Sequence, residues 1–198
     1  FVTLMAVEKY GLDITYPEIT EMWKKHINRR IWVANQSARN LMKKGLIAPD
    51  TGRKENNKNW FQIDPQLVNE IWSAFYPGMT KKAAERALWG ARITNDDWGT
   101  DPTIAYGVII SAAFFEKDVN KLVQMAIEAV PNEGPYAEGI RDVDPDQIAT
   151  AHCKGQTSAI TCYNENWLTL NNTYSNCSKS ALRTREDYQR SPVIPFFF

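Results

Sequence analysis

The sequence predicts an all-α fold through about residue 150, and three features carry that prediction. Helix start and stop signals punctuate the chain from Thr15 to Pro131. Between them apolar residues recur at three- and four-residue spacing, which places them on one face of a helix. Strand alternation is nearly absent, with TSAIT around Ser158 the single candidate. At 198 residues and 43% hydrophobic, the chain is long enough for one domain with a real core and too short for two full ones.

FVTLMAVEKYG, residues 1–11, reads as the second half of a helix already under way, with Gly11 at its stop. Its first turn and cap are missing, so the chain is expected to lack its natural beginning. Thr15 and Glu18 form a capping box ahead of Ile19, Met22, Trp23 and Ile27. A third helix is expected from Ile31 to Lys44, with Lys43 and Lys44 favouring its C-terminal dipole and Gly45 ending it. Leu46 to Ile63 is a long polar loop. Asp64 then caps a helix with Pro65 at its first position, and Leu67, Val68, Ile71 and Trp72 form its buried stripe. Pro77-Gly78 ends it. Thr80 starts the next helix, with Ala83, Ala84, Ala87 and Leu88 facing inward. Thr103 to Glu116 is small and apolar on almost every face, which marks Ile104 to Phe115 as the most buried helix. Asp118 caps a last amphipathic helix through Ala129, closed by Pro131. Asp144-Pro145 could open one more short helix. Residues 153–198, rich in Asn, Ser and Thr, offer little apolar area against a chain entropy of about 1–2 kcal/mol per ordered residue and are expected to pack poorly.

Composition narrows the function. With 23 basic and 23 acidic side chains, no global basic field exists to hold nucleic acid or an anionic membrane. The apolar run near Val108 is broken by Ser111 and stops at Glu116, short of the ~18 residues of a membrane span. No basic leader with a cleavage site opens the chain, and Cys153, Cys162 and Cys177 lack CxxC spacing, so reduced thiols in a cytoplasmic protein are expected. His152 beside Cys153 fits no usual zinc spacing.

GxGxxG, Walker, GxSxG and HExxH motifs are all absent, and two histidines, His26 and His152, give a triad little to work with. Chemistry would therefore rest on carboxylates. ITNDDWGTDPT sets Asp96, Asp97 and Asp101 in a glycine-containing loop, where oxygen ligands could meet a hard cation. Against that, Asp101 before Pro102 is ideally placed to cap the following helix, with Asp96 and Asp97 ordinary loop residues. Asp64 reads as an N-cap first and a catalytic group second.

The order of segments adds a resemblance. GLDITYPEITEMWKKHI, WVANQSARNLMKKGLIAPDTG, NNKNWFQIDPQLVNEIWSAFYPGMTKKAAERA, ITNDDWGTDPTIAYGVIISAAFFEKDVNKLVQMAIEAVP and YAEGIRDV follow one another here. Together they resemble successive segments of the ADP-ribosylglycohydrolase family over about residues 1–143. The most telling pieces are ARNLMKKGLIAPDTG, IDPQL with FYPG downstream, and SAAFFEKD. The resemblance implies an orthogonal helical bundle with two magnesium ions, and hydrolysis of an ADP-ribosyl or related glycosidic bond by a metal-held water. Two cations would neutralise acidic ligands, hold sugar hydroxyls and orient the nucleophile at an oxocarbenium-like centre. The implied partner is an ADP-ribosylated protein or a small ADP-ribosyl or other glycoside.

The chain departs from that pattern. The family's early Thr-Asp-Asp ligand cluster would precede Phe1. DPDQIATAHCKGQTSAITC, residues 144–162, resembles a family stretch of the form DPDQ followed by GQDSD, which puts Thr157 and Ala159 at two ligand positions. Neither replaces a carboxylate on magnesium. Where Asn95 stands, a histidine is common in the family. The expectation is therefore a partial domain over residues 1–143 and a degraded or divergent segment over 144–198. Asn95, Asp96, Asp97 and Asp64 would lie at the rim of a substrate cleft, and magnesium would not be bound by this chain. Three functions stay open: an ADP-ribosylglycohydrolase-like hydrolase of which this chain is an inactive piece, a non-catalytic nucleotide-sugar-binding or interaction module, and a helical domain with no ligand.

Overall fold

The computed structural model describes residues 1–132, 134–136 and 139, and the helix expected at Asp144, the tail and the 143/144 boundary lie outside them. The fold is all-α, and no strand occurs among the described residues. In order come α1 (Val2–Tyr10), α2 (Tyr16–His26), α3 (Val33–Lys43), α4 (Asp64–Val68), α5 (Glu70–Ala74), α6 (Thr80–Ala91), a 3-10 turn (Asp97–Thr100), α7 (Asp101–Ala112) and α8 (Val119–Ala129).

Local signals act where they were read. The Glu18 carboxylate accepts from the Thr15 amide at 2.8 Å and the Thr15 hydroxyl at 2.7 Å, holding the start of α2. Asp118 Oδ1 accepts the Asn120 amide at 3.0 Å at the start of α8. Gly11 and Gly45 end their helices at φ 80° and 100°, a region that disfavours any side chain.

α7 is the central helix. It packs against α4, α5, α6, α8 and the 3-10 turn, and eight of its twelve residues are buried. One core gathers Ala6, Ile14, Ile19, Met22, Trp23, Met42, Trp72 and Ile93 from α1, α2, α3, α5 and connecting loops. There Trp89 stacks on Tyr16 at 5.0 Å and meets Trp72 edge-on at 5.3 Å, with the Arg86 guanidinium 3.6 Å from the Trp89 ring centre. A second core joins Ala105 of α7 to Ala126 of α8, Val130 and Tyr136.

Four expectations are corrected. The helix expected from Ile31 begins at Val33, and Trp32 is 58% exposed. The single helix expected after Asp64 breaks at Asn69, and its inward face is polar: Gln66, Asn69 and Ser73 are buried beside Trp72, while Val68 is exposed. The reason lies opposite, where Gly90 of α6 and Gly107 of α7 leave room for the Asn69 and Ser73 side chains. α7 ends at Ala112, so Phe114 and Phe115 face solvent rather than extending the buried helix. Asp101 is the first residue of α7 rather than its cap, with Thr100 in the cap position.

Candidate functional site

The stretch ITNDDWGTDPT is held from below. Ile93, Thr94 and Asn95 are all buried. The Asn95 amide donates to the Gln62 carbonyl at 2.6 Å and the Gly99 carbonyl at 3.1 Å, which ties the strap to the preceding loop and closes it on itself. Gly99 lies against that loop so closely that a Cβ there would come 2.6 Å from the Trp60 carbonyl. Only glycine fits. Trp98 then meets Trp60 edge-on at 5.1 Å.

Asp96 caps the 3-10 turn: its Oδ1 accepts the Asp97 amide at 2.9 Å and its Oδ2 accepts the Lys54 amide at 3.2 Å. Asp97 itself sits at φ 47°, a left-handed conformation that non-glycine residues rarely adopt, and its carboxylate takes the Lys54 ammonium at 2.9 Å. Beside it opens a cleft of about 360 Å³ lined by Asp97, Trp98, Asp101, Pro131 and Gly134, within the size range of small-ligand sites. A second void, between Phe61, Gln66, Pro102 and Thr103, has about 10 Å³ and suits nothing larger than one water.

Asp101 is the unusual member of the cleft. Only 5% of it is exposed. Burial, and then the charge of Asp97, push its carboxyl up to about 6, so it holds a proton well above the ordinary aspartate range. Tyr136, likewise 5% exposed, carries a hydroxyl with no hydrogen-bond partner among the described residues. Burial first and Asp101 second raise its pKa.

The residues expected at a rim separate. Asp96 and Asp97 reach the surface, and Asp97 lines the cleft. Asn95 is 1% exposed and serves the loop's interior. Asp64, 3% exposed, is elsewhere: its Oδ1 accepts the Asn35 amide at 3.0 Å, so it caps α3 from the start of α4. Burial raises the Asp64 pKa, and backbone amides oppose that rise. Sequence reasoning missed Asp101 and Trp98 as lining residues although both stand in the same motif. Lys54 and Tyr136 lie 43 and 39 residues from Asp97 with no sequence signal linking them to it.

Among the described residues no group of three or more His, Cys, Asp or Glu side chains could hold a metal ion. The carboxylates of Asp64, Asp96 and Asp97 accept amide or ammonium protons, and Asp64 does not line the cleft that Asp97 lines. Among them no helix is long and apolar enough to cross a membrane. No protein-family model matches the chain, and neither a curated protein nor a solved structure matches it.

Proposed function

We propose that the protein is an ADP-ribosylglycohydrolase-like domain that binds the sugar end of an ADP-ribosyl or related glycoside, and that the 198-residue chain does so without cleaving it. The cleft beside Asp97 carries this reading. Trp98 brings apolar surface to its lining, and two carboxyl groups offer acceptors to sugar hydroxyls. A pyrophosphate is repelled by the same carboxylates and points outward. The non-cleaving reading is supported by Thr157 and Ala159, which stand where the resemblance expects carboxylate ligands and do not replace them on magnesium.

Calorimetry with ADP-ribose, paired with a magnesium titration and an ADP-ribosyl-arginine hydrolysis assay, tests the proposal on the full chain. ADP-ribose binding without released product is expected, and Trp98→Ala should weaken it about tenfold. Micromolar magnesium binding with turnover abolished by Asp97→Asn would overturn the non-cleaving reading. No ADP-ribose binding at all would overturn the ligand.

A further inference from the structure

We propose that the cleft at the start of α7 is a binding site for a small organic cation, an alkylammonium or guanidinium group seated between Asp97 and Asp101 against the Trp98 indole, and that Lys54 competes for it. Two observations set the cleft apart from an acidic surface patch. Asp97 already holds an ammonium, that of Lys54, at 2.9 Å, and the pair is half-exposed, so an incoming cation can displace it at little cost. Behind it, the nine-tenths-buried Asp101 has no cation partner among the described residues, and the buried Tyr136 hydroxyl near it is unpartnered as well. Pro131 and Gly134 add no charge to the lining. An indole edge-on to Trp60 supplies the remaining wall, and a cation over an indole is attracted by its ring quadrupole.

The site discriminates by charge. A neutral molecule of the same shape gains the indole contact and loses both carboxylates, and an anion is repelled. Of the described titratable groups, Asp97 in the 3-10 turn acts on Asp101, and Tyr136 beyond α8 feels its charge. Asp97 raises the cost of a second negative charge at Asp101, and a bound cation relieves it. Occupation therefore favours the ionised Asp101, and affinity falls as the pH drops through about 6. This inference goes beyond the glycoside reading and does not depend on it.

Titration of the full chain with methylguanidinium chloride and with methylurea, its neutral counterpart, at pH 7.5 and fixed ionic strength decides the matter. Methylguanidinium is expected to bind at least about tenfold more tightly, Lys54→Met to tighten it about threefold, and Asp101→Asn to weaken it about tenfold. At pH 5 the wild-type affinity should drop about tenfold as well. Asp97→Asn, at a half-exposed position, gives the same loss should Asp101→Asn melt early. Equal affinity for the two probes, or unchanged affinity in Lys54→Met or in both Asp variants, overturns the proposal. Binding of ADP-ribose in a protein that ignores methylguanidinium removes the cation site and leaves the glycoside reading standing; the opposite pattern does the reverse.

Discussion

Asp101 shows how one buried carboxyl can cost stability. Its pKa rises from the ordinary 3.8 to about 6, so the folded state binds the proton more tightly than the unfolded chain does. The sign follows. Its contribution is most favourable below about pH 4 and is lost as the pH climbs through about 6, leaving the protein destabilised by at most about 3 kcal/mol at neutral pH. Asp101→Asn removes the titration with almost no change of shape. Urea unfolding of this variant should show a gain of about 1–3 kcal/mol at pH 8 that shrinks toward pH 4. A variant equally destabilised at both pH values would mean that the carboxylate is stabilised by partners rather than strained by burial. Burial raises the Asp64 pKa as well, and there the α3 amide it accepts opposes the rise.

At the scale of elements, α6 and α7 approach closely because small residues line their seam. Ala83, Ala87, Gly90 and Ala91 are buried on α6, and Gly107 of α7 lies against Ala83 and Ala87. A Cβ on Gly107 would come 2.8 Å from the Ala87 Cβ and 2.6 Å from the Ser73 hydroxyl. The hydroxyl can turn away, but the Ala87 methyl sits on a rigid helix. Alanine at a helix interior gains about 1 kcal/mol in propensity over glycine, whereas overpacking costs about 1–3 kcal/mol. Gly107→Ala is therefore expected to lower stability by up to about 2 kcal/mol net, read as a lower urea midpoint with an unchanged slope. A raised midpoint would show that the seam has slack.

Across the whole molecule, the polar stretch 46–63 is a tether rather than a surface loop. Asn57 is 1% exposed, and its amide lies 3.0 Å from the Thr94 carbonyl, 3.2 Å from that of Thr51 and 3.4 Å from that of Ala34. Its two N–H groups serve these three acceptors, while its oxygen takes the Asn59 amide at 3.0 Å. The buried Thr51 hydroxyl adds a bond to the Ile93 carbonyl at 2.7 Å. One segment thus joins the start of α3 to the strap that carries Asp96 and Asp97. Asn57→Ala leaves several buried groups unpaired and should cost about 2–4 kcal/mol in chemical denaturation. The loss should exceed that of Asn56→Ala, whose amide bonds only the exposed Asp50 carbonyl.

The sequence by itself determined the helices' order and those ends that carry a local signal. Thr15 with Glu18, Gly11, Gly45 and Asp118 act within about four residues, so the interaction and its signal occupy the same short string. It also marked α7 as the central helix, because a segment without a polar face has nowhere else to go. Only the tertiary structure decided which polar groups go inside. Asp64 caps a helix 29 residues upstream, Asn57 bonds across 37 residues to Thr94, and Val68, apolar and at helical spacing, faces solvent while Gln66 does not. The same holds for the cleft, where Asp101 meets Tyr136 through the packing of α7 on α8 and Lys54 meets Asp97 through the tether. A polar side chain is buried wherever a distant segment supplies its hydrogen-bond partner or the space for it, and neither is written in the residues beside it.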